Sequence, residues 1–144
     1  MAKTKIMVAL RDAESVESLV TLACQMSSGV DAELSALHVI EVPMATPLEA
    51  DDEVLYHPAK EILAQAERVA SERFKKKIST QLLRAREIGE AIVGEVKDQR
   101  VDLLIMRYHR PHTLGEILLG STVQYVGRRV PCRLLVEIPA PHRP

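Results

Sequence analysis

Five short apolar runs separated by stretches of helical spacing constrain this chain more than any other feature. Ile6-Met7-Val8-Ala9-Leu10 is continuous in apolar character, as a strand covered on both faces requires. Leu34 to Val42 reads as a second strand closed by Pro43, Ile78 to Ala85 as a weaker third, Val101 to Met106 as the fourth and most apolar, and Cys132 to Ile138 as the fifth. Between the first two, Val16, Leu19, Val20 and Ala23 fall on one helical face, with Ser15 as the expected cap and Gly29 as the expected stop. Met44 to His57 reads as a loop. Pro58 then sits in the first turn of a helix marked by Ala59, Ile62, Leu63, Ala66, Val69 and Ala70. Ile88, Ala91, Ile92 and Val96 mark a third helix, and Leu114, Ile117 and Leu118 begin a fourth that runs to about Arg129. The alternation predicts an α/β fold: one open, twisted, five-stranded parallel sheet with helices on both faces. Ligands of such folds sit beyond the C-terminal strand ends at the topological switch point, so the residues after Leu10, Val42 and Met106 are where function is expected.

Composition sets the remaining bounds. At 144 residues the chain fits one domain, expected over 1–139, with a loose Pro-rich tail at 140–144. A formal charge of −1 argues against bulk nucleic-acid affinity or an electrostatic membrane anchor. No run approaches the about 18 consecutive apolar residues of a membrane span. Arg11 and Asp12 interrupt the first apolar run, so no secretory leader is read there. Cys24 and Cys132 have no ligand spacing and read as reduced, buried thiols. The expected location is cytoplasmic.

The most informative stretch is Val101 to Val136. Asp102-Leu103-Leu104-Ile105-Met106 is followed by Ile117, Leu118 and Leu119, then Gly120-Ser121, Tyr125-Val126 and Pro131-Cys132. With Ile6 to Ala9 and Leu37-His38-Val39, this pattern resembles the universal stress protein family over essentially the whole chain. The resemblance implies strand order 3-2-1-4-5, a Rossmann-like architecture, and commonly a homodimer through the last strand. It also implies ATP binding in some members and not in others. Nucleotide-binding members carry a glycine, two residues, a second glycine, nine residues, and then Gly followed by Ser or Thr. Counted back from Gly120-Ser121, the two glycine positions are Arg107 and Arg110, and a third glycine position is Thr113. The family's aspartate after the first strand is Arg11 here. A guanidinium in place of glycine fills space where backbone should meet phosphate, and arginine has donors only. The usual ATP site therefore reads as largely lost.

The resemblance and the strand ends together give a nucleotide or anion crevice at Ala9, Arg11, Val39, Arg107, Arg110, Gly120, Ser121 and Thr122. Arg11, Arg107 and Arg110 either clamp a phosphate-bearing or carboxylate ligand, such as a nucleotide in a different pose, or splay into water or pair with Asp12, Glu14 or Glu116. The acidic segment Glu49 to Glu53 reads as a flap near the crevice.

His109 and His112 do not make a metal motif, and His38 reads as a satisfied strand residue. Ser121 lacks a nucleophile elbow and assignable partners, so the chain reads as a non-enzyme. Arg73, Lys75, Lys76 and Lys77 read as a solvated helix end. Leu134, Val136 and Ile138 share one face of the final strand, whose unpaired edge suits a second copy. The reading is thus a dimeric, non-catalytic stress-response module with no required cofactor. It acts through a protein partner or a linked membrane protein, without nucleic acid or membrane insertion. The alternative is a stress protein that binds ATP, AMP or an anion through its arginines.

Overall fold

A computed structural model of the chain describes residues 3–49, 53–108 and 120–140. The elements are β1 (Thr4–Ala9), α1 (Ala13–Met26), β2 (Ala32–Glu41), α2 (Glu53–Phe74), β3 (Ile78–Ala85), α3 (Ile88–Gln99), β4 (Leu103–Arg107), α4 (Ser121–Arg129) and β5 (Arg133–Glu137). The strands form one sheet of order β3-β2-β1-β4-β5, and every neighbouring pair is parallel. This is the expected order, with β1 at its centre.

Two apolar layers enclose the sheet. Ile6 and Val8 face Val16, Leu19, Leu63 and Ala66 of α1 and α2. Met7 between them faces the other way, toward Ile92 and Val96 of α3 and Val126 of α4. A strand segment of period two covered on both sides must be apolar at every position, which is why β1 shows no polar alternation from Ile6 to Ala9.

Three local expectations change. Asp12, not Ser15, caps α1: its Oδ1 accepts the Ser15 N–H at 2.9 Å, while the Ser15 hydroxyl donates to the Asp12 carbonyl at 2.9 Å. A carboxylate before the first turn satisfies an orphan amide and suits the helix dipole, so it takes the cap from the buried serine. Helix α2 opens at Glu53, which places Pro58 inside it and shortens the expected loop. The added turn brings Leu55 and Tyr56 against Ile40, Val42 and Ala59, a burial that offsets the missing Pro58 N–H. Helix α1 ends at Met26 with Ser27 as its C-cap, and Gly29 takes φ 75° in the turn that follows. The expected start of the fourth helix, from Leu114, lies outside the described residues, as does most of the Pro-rich tail. No helix among the described residues is long and apolar enough to cross a membrane.

Candidate functional site

Parallel strands β1 and β4 leave the sheet in opposite directions, because β1 connects toward β2 and β4 toward β5. That divergence opens a crevice at their C-terminal ends. A cleft of about 970 Å³ occupies it. Ala9, Leu10 and Arg11 form one wall, and Met106, Arg107 and Tyr108 form the next. Leu37, Val39 and Glu41 of β2 continue the floor. The far side is built by the starts of α3 and α4, including Gly89, Gly120, Ser121, Thr122 and Tyr125.

Of the residues expected from sequence, Ala9, Arg11, Val39, Arg107, Gly120, Ser121 and Thr122 all line this cleft. Arg110, His109 and His112 lie outside the described residues. Glu49 and Glu53 do not line it: Glu49 is exposed on the loop before α2, and Glu53 opens that helix. Leu134 and Val136 pack inward against the layer of α3 and α4, whereas Ile138 is 42% exposed beyond the strand.

Two helix N-termini converge on the cleft. Gly120 is the extended N-cap of α4, and the Gln124 N–H is the first to return to its carbonyl, at 3.0 Å. Glu87 is the extended N-cap of α3, whose first returning N–H is that of Ala91, at 3.2 Å. Neither cap residue places its side chain on the first turn. The leading amides of both helices therefore lack intrahelical acceptors, and each terminus carries about half a positive charge. Gly89 allows the close approach of the two helices: a Cβ there would meet the Tyr125 ring at 2.9 Å.

The charges of the cleft are mixed. Arg11, Glu41, Glu87 and Glu90 line the cleft and are exposed. Arg107 is held: its Nε lies 3.5 Å from Glu137 Oε1, and a guanidinium N–H donates to the Glu14 carbonyl at 3.3 Å. The same Glu137 oxygen accepts the Ser18 hydroxyl at 2.9 Å. Arg107 thus meets Glu14 through its backbone, and its carboxylate partner is Glu137.

Glu137 and Ser18, which reach the cleft through Arg107 and do not line it, and the α3 start, which does, were missed by the sequence reading. The alternation of β5 was the available signal for Glu137, since it puts that residue on the face opposite Leu134 and Val136.

Other candidates resolve as structural. His38 Nδ1 lies 2.7 Å from the Leu10 carbonyl. A carbonyl only accepts, so this nitrogen carries the proton. His38 is outside the cleft lining, which leaves Ser121 without a neighbouring imidazole from β2. Arg73 pairs with Glu17 of α1, tying α2 to α1. No group of three His, Cys, Asp or Glu among the described residues could hold a metal ion. Burial pushes the thiols of Cys24 and Cys132 above the ordinary range, and Asp102 adds to the effect at Cys132.

Comparison with known proteins gives one consistent answer. The universal stress protein family matches residues 3–137. Among solved structures, the universal stress protein from Archaeoglobus fulgidus in complex with dAMP is 17% identical, with a TM-score of 0.72 over 94% of this chain and 98% of that one. Universal stress protein UspA from Lactobacillus plantarum is 22% identical, with a TM-score of 0.66 over 94% and 98%. A universal stress protein family protein from Arabidopsis thaliana with AMP bound is 16% identical, with a TM-score of 0.60 over 94% and 91%. At these identities the likeness establishes the fold. No curated protein sequence matches the chain.

Proposed function

The chain belongs to the universal stress protein family, and we propose that it is a non-catalytic, cytoplasmic regulatory module whose cleft takes a small adenine nucleotide of low charge. The observation that carries this reading is the cleft itself. It lies at the switch point, is nucleotide-sized at about 970 Å³, and keeps Gly120, Ser121 and Thr122 at an open helix N-terminus. Its phosphate side departs from the usual ATP grip. Arg107 stands where a glycine would let backbone meet phosphate, and its guanidinium is committed to Glu137. A single phosphate could use the amides of α4 without the glycine loop. The dAMP and AMP complexes of the Archaeoglobus fulgidus and Arabidopsis thaliana proteins are consistent with that economy.

The cleft is read as binding rather than catalytic. Ser121 has no imidazole from β2 beside it, and no donor set for a metal forms among the described residues. The edge of β5 favours a homodimer, because β5 pairs on one side with β4 and Ile138 is exposed at its end. Signalling would then pass to a protein partner.

Nucleotide content tests the proposal directly. Purified protein is denatured, released small molecules are identified, and AMP, ATP and cyclic dinucleotides are titrated by calorimetry. Released AMP, or AMP binding tighter than ATP, is the expected result. Silence with every ligand up to millimolar concentration would overturn the cleft as a nucleotide site and move the search to protein partners.

A further inference from the structure

We infer that Glu137 is a specificity-determining residue of the cleft: by holding Arg107 it sets the cleft against polyphosphate ligands. The inference rests on the cleft binding a nucleotide, as proposed above.

The pair is built by the fold rather than by chance contact of long side chains. Arg107 ends β4, Glu137 ends β5, and the two are register partners across the parallel ladder. Both are largely shielded, with side-chain exposures of 18% and 24%. Each is also anchored from α1. Arg107 donates to the Glu14 carbonyl, and Glu137 accepts from Ser18. For Arg107 to reach a ligand it must give up a carboxylate and a carbonyl together. Glu137 cannot swing aside without abandoning the Ser18 hydroxyl.

The charge balance of the cleft follows. Among its described lining residues, Arg11 and Arg107 stand against Glu41, Glu87 and Glu90. With Arg107 matched by Glu137, one arginine remains to face three carboxylates. The open ends of α3 and α4 contribute about half a positive charge each. The described lining groups still leave a deficit of positive charge, which each added phosphate deepens. A neutral nucleoside is indifferent to this balance, a monophosphate is disfavoured less, and a triphosphate most. Removing the Glu137 charge frees one full guanidinium at the strand end where phosphate would approach. At a separation of about 12 Å and an effective dielectric near 20, one unit charge acting on another corresponds to about tenfold in the affinity of an anion.

The test uses the full chain as wild type, Glu137→Gln, Arg107→Gln and the double variant, each titrated with adenosine, AMP and ATP. Glutamine keeps an oxygen for Ser18, so Glu137→Gln removes charge with little loss of shape. We expect Glu137→Gln to raise ATP affinity about tenfold, AMP affinity less, and adenosine affinity by under twofold. The gain should vanish in the double variant and shrink as salt rises. An equal gain for adenosine, no gain for ATP, or a gain that persists without Arg107 would each overturn the inference while leaving nucleotide binding intact. Failure of all four proteins to bind any of the three ligands would overturn the cleft reading and the inference with it.

Discussion

Arg100 holds one of the two non-glycine positive φ angles among the described residues, at 54°, where it terminates α3. Its N–H returns to the Lys97 carbonyl at 3.3 Å, a left-handed cap that glycine fills without steric cost. Arg100→Gly is therefore expected to raise stability by about 0.5–1 kcal/mol, measured by chemical denaturation. Asp12 works in the opposite sense at the start of α1. Asp12→Ala orphans the Ser15 amide and should cost about 1 kcal/mol in the same experiment. Equal stability of wild type and both variants would show that neither terminus matters to the fold. At Arg107 the same residue-level reasoning reaches function, because its partner decides whether its charge is available.

Helix α3 carries two glycines with opposite demands. Gly89 sits in its first turn against Tyr125, and a methyl there must displace an aromatic ring that forms the cleft wall. Gly94 sits mid-helix with nothing within 4 Å of where its Cβ would be. Gly94→Ala should stabilise by about 0.5–1 kcal/mol through helix propensity alone. Gly89→Ala gains less from propensity in the first turn and meets overpacking of about 1–3 kcal/mol, so a net loss is expected. Thermal unfolding of the two variants should move the midpoint in opposite directions, and a shift of the same sign in both would refute the close approach of α3 and α4. The β2–α2 connection is fixed at the element scale too. The Nη1 amino group of Arg86, with its two hydrogens, is shared among the carbonyls of Val42, Pro43 and Thr46, at 3.3 Å and 2.7 Å for the first and last. This ties the exit of β2, just past Glu41 on the cleft rim, to the end of β3.

For the whole molecule, the outer edge of β5, which among the described residues pairs only with β4, matters most. Leu134 and Val136 are half-buried against the layer of α3 and α4. Ile138, exposed just past the strand, is the clean probe of the proposed dimer. Sedimentation at micromolar concentration should give a dimer for the wild type and a shift toward monomer for Ile138→Lys, with the thermal midpoint nearly unchanged. A monomeric wild type would remove the dimer from the proposal. The thiols also act at this scale. Burial raises them both, so their contribution to stability is complete below the ordinary thiol range and is lost as pH rises from that range through the raised folded-state values.

The sequence by itself determined the five strands, the two-faced burial of β1 and the strand ends that build the cleft, while the strand order was what the family resemblance implied. Apolar periodicity is a local signal, and a parallel βα alternation leaves few topologies. Set beside the glycine spacing of the resembling family, the sequence also marked Arg107 as standing where nucleotide-binding members carry glycine. Only the tertiary structure decided what Arg107 does. Its partner Glu137 lies thirty positions onward and comes into register through the β4–β5 ladder, while Ser18 and Glu14 arrive from α1. The start of α2 was hidden for the same reason: the turn before Pro58 gains its stability from Ile40 and Val42, residues its own local sequence does not contain. Pairings between distant residues are set by the assembled sheet, and no local periodicity encodes them.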